Sequence, residues 1–259
     1  MLNYFIQTIV FAFGAVFGSF FNVCIYRMPR NKSIMRPPSA CPHCEKPIKF
    51  YDNIPIVSYI ILGGKCRDCG AAISRRYPFV ELITAVLFLM LYRKYGLSYQ
   101  LGFQMFFVSL LIVISFIDYD FQIIPDVLSI GGLIAGMIIS FARSDFRFID
   151  SLYGVLLGGG VLFVIAYGYK LIAKREGMGG GDIKLLAMLG SFLGFKGVIF
   201  SLVGGSIIGT IVGIPLMIMK GEGTKYAIPF GPFLALSAVL YLFVGHNIVF
   251  KFTQFIFHA

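Results

Sequence analysis

Long apolar runs separated by short polar breaks make up most of the chain, at residues 4–24, 79–95, 99–117, 123–142, 149–173, 183–194, 197–219 and 227–250. A hydrocarbon core of about 30 Å takes about 20 apolar residues per helix. The pattern therefore predicts an all-α polytopic membrane protein with about eight transmembrane helices, although the run at 183–194 is too short to cross alone and 79–95 is marginal. One stretch interrupts the pattern, rich in Pro, Cys and basic residues. The expected organisation is a first transmembrane helix at 1–26, a small loop domain at 27–78, and a multi-helix transmembrane domain at 79–259.

Composition agrees and charge adds a direction. Hydrophobic residues are 58% of the chain, charged residues 13%, and the mean hydropathy is +0.85, outside the range of ordinary soluble domains. No basic stretch precedes the first run and no small-residue cleavage site follows it, so it reads as a retained helix. Residues 27–78 hold ten Lys/Arg against Glu45, Asp52 and Asp68, and short Lys/Arg-rich loops stay in the cytoplasm. Threading eight spans from there puts 16 of the 22 basic residues inside, among them Lys170, Lys174, Arg175, Lys184, Lys220 and Lys225. Both termini then lie outside. Because this bias accounts for most of the +10 net charge, nucleic acid is not an expected partner; the lipid bilayer is.

The insertion is too small for a large apolar core, and domains of that size need a metal, disulfides or a partner. Cys41, Cys44, Cys66 and Cys69 form two C-x2-C knuckles 21 residues apart, close to the usual four-thiolate zinc spacing. A reducing cytoplasm disfavours disulfides. The expected cofactor is a structural zinc ion; free or redox-active thiols are the weaker reading. His43 is expected to be a loop residue, and Cys24 a buried apolar one.

Ionisable residues in or beside apolar spans are costly and mark candidate function. They are Glu81, Asp118, Asp120, Asp126, Asp150 and Asp182. The topology puts Asp118, Asp120, Asp126 and Asp182 at cytoplasmic helix ends and Asp150 outside, with Glu81 near the inner face. Asp118 closes one span; Asp182 follows Gly177-Met178-Gly179-Gly180-Gly181 and opens another. Two carboxylates meeting at one face can share a proton, one acting as base on a water while the other polarises a scissile carbonyl. On spacing alone Asp182 and Asp126 could equally be helix caps, and Asp120 a solvated loop charge.

Four stretches carry a resemblance to one family: GSFFNVCIYRMPR at 18–30, the knuckles flanking DNIPIVSYIILGGKC at 52–66, ISRRYPFVEL at 73–82 with FIDYDFQIIPD at 116–126, and GMGGGDIKLLAMLG at 177–190. In that order they resemble the bacterial type IV prepilin peptidases, membrane aspartyl proteases with a G-x-G-D motif. The resemblance implies Asp118 and Asp182 as catalytic pair, with Gly179, Gly181, Asp120 and Asp126 as motif support. It implies a multi-pass inner-membrane enzyme with its active site at the cytoplasmic face. That enzyme removes the basic leader of prepilins and pseudopilins after a Gly, then N-methylates the new N-terminus with S-adenosylmethionine. No glycine-rich nucleotide fingerprint locates that cofactor, so the methyl-transfer residues stay unassigned. A transporter with intramembrane acids would not explain the knuckles, a membrane-tethered zinc module would not explain the GGGD segment, and an archaeal-type preflagellin peptidase would lack the cysteine loop.

Overall fold

The computed structural model describes residues 1–143, 146–173, 179–220, 228–245 and 248. Lys174, Arg175, Gly177, Met178, Lys225 and the C-terminal end, which enter the expectations above, lie outside them. The described residues are helical, as expected: α1 (Leu2–Arg27), α2 (Val57–Ile61), α3 (Arg76–Tyr95), α4 (Tyr99–Phe121), α5 (Asp126–Ala142), α6 (Phe148–Ala173), α7 (Gly180–Lys220) and α8 (Gly231–Leu240), the last followed by a π-helical turn at Tyr241–Gly245. Among the described residues, four stretches are long and apolar enough to cross a membrane: Leu2–Arg30, Tyr99–Phe121, Phe148–Ile172 and Gly180–Met219.

The helices match the apolar runs more closely than they match eight uniform spans. α3 carries Arg76, Glu81, Arg93 and Lys94 within 20 residues, and α5 is only 17 residues long. The runs expected at 183–194 and 197–219 belong to one 41-residue helical stretch, α7, interrupted at Gly194, where φ 67° and ψ −176° leave the helical region. A positive φ is open to glycine because it has no Cβ, and the break falls at the end of the first of the two expected runs.

Contacts divide the chain into two units, Met1–Val113 and Ile114–Ala259. In the first, α1 packs along α3 through a Gly14-x3-Gly18 stripe. A Cβ on Gly14 would lie 2.7 Å from Ala85 Cα, and one on Gly18 2.6 Å from Glu81 Cα, so the two backbones touch where side chains normally intervene. Asn22, one turn further along α1, donates from Nδ2 to the Tyr77 and Gly18 carbonyls at 3.1 and 3.2 Å. In the second unit α6 and α7 meet the same way, Gly154 against Gly190 and Gly158 against the Leu186 carbonyl.

Candidate active site and metal centre

Asp118 lies in the last turn of α4, after the buried run Ile112 to Ile114 and Ile117, and is itself only 5% exposed. Its Oδ2 accepts the amide of Gly231, the first residue of α8, at 3.0 Å. Asp182 sits in the first turn of α7, its amide donating to the Gly179 carbonyl at 3.2 Å. Although 64 positions separate them in sequence, Asp118 and Asp182 are near enough for the charge of one to act on the other. Asp118, Gly179, Asp182 and Gly231 all belong to the second unit. The glycines before Asp182 leave room at the site: Gly180 has nothing within 4 Å of where a Cβ would stand, whereas Gly181 is seated against Ile124.

The other two aspartates of the motif are exposed. Asp126, exposed at the start of α5, forms an ion pair with Lys184 at 2.6 Å, which ties α5 to the first turn of α7. Asp120 is exposed on the last turn of α4. Asp150 pairs with Arg147, three residues before it.

The four cysteines of the insertion do converge. Their sulfurs all lie within 4.8 Å of one another, with Cys41 Sγ and Cys69 Sγ 3.8 Å apart. Zinc–sulfur bonds of about 2.3 Å in a tetrahedron require sulfurs about 3.8 Å apart, so the donor set fits zinc in both number and spacing. The two knuckles share one backbone design. Cys41 N–H donates to the Lys46 carbonyl and Glu45 N–H to the Cys41 carbonyl; Cys66 N–H donates to Ala71 and Gly70 N–H to Cys66 in the same way. Each knuckle turns on a positive φ just after its second cysteine, 58° at Glu45 and 71° at Gly70, and is closed by an antiparallel bridge, Ala40 with Pro47 and Lys65 with Ala72. Amide hydrogen bonds from Cys44 and His43 bring the Cys41 thiol down to about 6, towards the thiolate that a metal binds. Arg67, inside the second knuckle, grips Asp52 with three hydrogen bonds of 2.7, 2.9 and 3.1 Å and holds that carboxyl below its ordinary range.

Sequence reasoning did not find three of these partners. Gly231 supplies only a backbone amide, which no side-chain pattern announces, although the Gly-Pro pair at 231–232 marks a helix start. Lys184 was read only as a cytoplasmic charge. Glu81 was singled out as an intramembrane acid, but its partner, the backbone amide of Ile56, lies 25 positions away in the loop.

Comparison with known proteins agrees with this architecture. The model of the bacterial peptidase A24 N-terminal domain matches residues 12–95, and that of the type IV leader peptidase family residues 105–214. A protein of Pseudomonas aeruginosa named prepilin leader peptidase/N-methyltransferase is 36% identical over 269 residues, covering 93% of this chain and 91% of that protein. Proteins of the same name from Aeromonas salmonicida and Myxococcus xanthus are 34% and 39% identical, over 93% and 82% of this chain and 91% and 64% of their own lengths. No solved structure matches. On relatives this similar over nearly their whole length, the chain belongs to the family of prepilin leader peptidases/N-methyltransferases.

Proposed function

We propose that the chain is a membrane aspartyl endopeptidase that removes the basic leader from type IV prepilins or pseudopilins at the cytoplasmic membrane face, using Asp118 and Asp182. What supports this reading is that Asp118, at the end of α4, and Asp182, at the start of α7, are near enough for the charge of one to act on the other, with Asp118 fixed by the Gly231 amide. The pair shares one proton. The carboxylate takes a proton from a water whose oxygen bonds to the scissile carbonyl carbon, while the protonated partner gives its proton to the carbonyl oxygen. The tetrahedral intermediate then breaks its C–N bond, the leaving amine takes up a proton, and the pair returns with one proton. The two act as a unit, so neither aspartate is assigned a separate role.

In this reading 27–78 is the cytoplasmic module, with Cys41, Cys44, Cys66 and Cys69 holding a structural zinc, and 79–259 carries the peptidase chemistry in the inner membrane. A second step N-methylates the new N-terminus. S-adenosylmethionine would supply a sulfonium methyl as electrophile, and a free α-amine with a pKa of about 8 needs little desolvation to react as the neutral nucleophile.

Intact-mass spectrometry of a co-expressed prepilin tests both steps, comparing wild type with Asp118→Asn and Asp182→Asn. Loss of the leader with wild type alone, and a further methyl on the product, is the expected result. Cleavage that persists in both variants would refute the carboxylate pair.

A further inference from the structure

α2 begins from a backbone conformation that few residues adopt. Ile56 has φ 64° and ψ −50°, and the Val57 amide donates to the Pro55 carbonyl at 2.6 Å. This is a positive-φ γ-turn, rare and strained in itself, and its central residue is β-branched, the kind that region tolerates least. A buried carboxylate holds it in place: Ile56 N–H donates to Glu81 Oε2 at 2.7 Å, a charge-assisted bond from the seam where Gly18 lies against Glu81.

The depth of that anchor matters. Gly18 precedes Arg27, the last residue of α1, by nine positions, about 14 Å of helix at 1.5 Å per residue. At the level of Gly18 and Glu81 the outward-facing residues are Phe17, Phe20, Phe79 and Leu82, all large, apolar and exposed. That surface suits hydrocarbon, so the loop backbone is pinned below the ends of the helices that carry it.

The side chains of α2 follow suit. Ile60 and Ile61 are 71% and 72% exposed, and Ile54 and Val57 are exposed beside them. The polar residue, Ser58, is turned inward, donating to the Tyr51 carbonyl and accepting the Ile54 amide. A helix in water would show the reverse pattern. Exposed Lys49 precedes this segment, and exposed Lys65 and Arg75 follow it.

We infer that α2 is an interfacial helix whose apolar face is seated in the cytoplasmic leaflet, at a depth set by the Glu81–Ile56 clasp, with the flanking basic residues meeting anionic headgroups. The inference goes beyond the peptidase reading and does not depend on Asp118 or Asp182.

The chain has no tryptophan, so Ile60→Trp gives a single reporter in the full-length protein. Reconstitution would use vesicles of phosphatidylglycerol and a phosphatidylcholine brominated near the headgroup end of its acyl chains. Phe20→Trp serves as lipid-facing control and the exposed Met35→Trp as water control. Ile60→Trp is expected to be quenched to within about a factor of two of Phe20→Trp. Adding Glu81→Ala should drop the quenching to the Met35→Trp level, while Glu81→Gln, whose amide oxygen can accept the same bond, should keep it. Zinc content and leader cleavage of each variant report folding and the peptidase reading separately. An unquenched Ile60→Trp beside a quenched Phe20→Trp overturns the seating. A blue shift only on adding prepilin would give the face to substrate, and one that grows with protein-to-lipid ratio would give it to a second copy; either overturns lipid as occupant. Undiminished quenching with Glu81→Ala overturns the clasp.

Discussion

The amide of Gly231 donates to Asp118 Oδ2 at 3.0 Å, joining the start of α8 to the end of α4 across 113 positions of sequence. One oxygen of a carboxylate buried to 5% exposure is thus fixed by the backbone. The rotamer of Asp118 then follows from the placement of α8, and a carboxylate fixed in advance needs no rearrangement when water and substrate arrive.

Gly231 leaves no room for a side chain. A Cβ there would stand 2.6 Å from Asp118 Oδ2 and 3.4 Å from its Cβ, so Gly231→Ala must push the carboxylate aside or break the hydrogen bond. A hydrogen bond to a charged group is worth about 1.5–3 kcal/mol, which sets an expected loss of roughly ten- to a hundredfold in leader cleavage. Single-turnover cleavage of a purified prepilin by the reconstituted variant measures it. A wild-type rate would mean that the contact does not position the reacting carboxylate.

Asp126 belongs to the same motif as Asp118 but makes a different kind of contact. Its ion pair with Lys184 is short at 2.6 Å, yet the two side chains are 60% and 42% exposed. Exposed pairs contribute about 0–1 kcal/mol. Asp126→Asn is therefore expected to shift stability by less than about 1 kcal/mol and to leave leader cleavage within about fivefold of wild type, in contrast to complete loss with Asp118→Asn. Thermal unfolding in detergent and the cleavage assay, run on both variants together, separate the two roles. Equal and complete loss in both would make Asp126 part of the chemistry.

Periodicity and residue type were enough to read the helices and the four sulfurs, because a span must be apolar along its length and a thiolate site needs cysteines in pairs. The contacts that position the carboxylates were not legible. Gly231 acts through its main chain, and Glu81 through the main chain of Ile56. The length pattern read two runs in α7, and the helical stretch does break at the end of the first, at Gly194. It hid α2, whose five residues are too few to show a helical period.

The cysteine cluster supports a prediction about order in the insertion. With sulfurs within 4.8 Å of one another and only isolated bridges closing each knuckle, a zinc ion bound there would be the main cross-link between the two hairpins, beside the exposed Lys46–Asp68 ion pair. Replacing Cys66 and Cys69 by serine should lower bound zinc from about one ion per chain to below about a tenth. It should also speed trypsin cleavage at exposed Lys46 and Lys65 by roughly tenfold or more, as the module opens locally. Leader cleavage should persist, because no cysteine belongs to the unit that holds Asp118 and Asp182. Metal analysis, limited proteolysis and the mass assay on one preparation check all three, and unchanged zinc would remove the metal from the account.

The Gly14-x3-Gly18 stripe makes the sharpest demand on the first unit. A Cβ at Gly18 would lie 2.6 Å from Glu81 Cα and 3.0 Å from the Val80 carbonyl, atoms of a helix backbone that cannot rotate away as a side chain can. Gly18→Leu therefore has to separate α1 from α3, weakening the Asn22 bond to Tyr77 as well. Overpacking of this kind costs about 1–3 kcal/mol, and at roughly 2–4 °C per kcal/mol for a chain of this size the melting temperature should fall by about 2–12 °C. Gly102→Ala is the matched control. It lies in α4 with nothing within 4 Å of the new Cβ, so losing backbone freedom in the unfolded chain should make it neutral or slightly stabilising. If Gly18→Leu and Gly102→Ala melt together in the same detergent, the close approach of α1 and α3 is not what holds the unit, and the clasp that Glu81 makes beside Gly18 loses its rigid base.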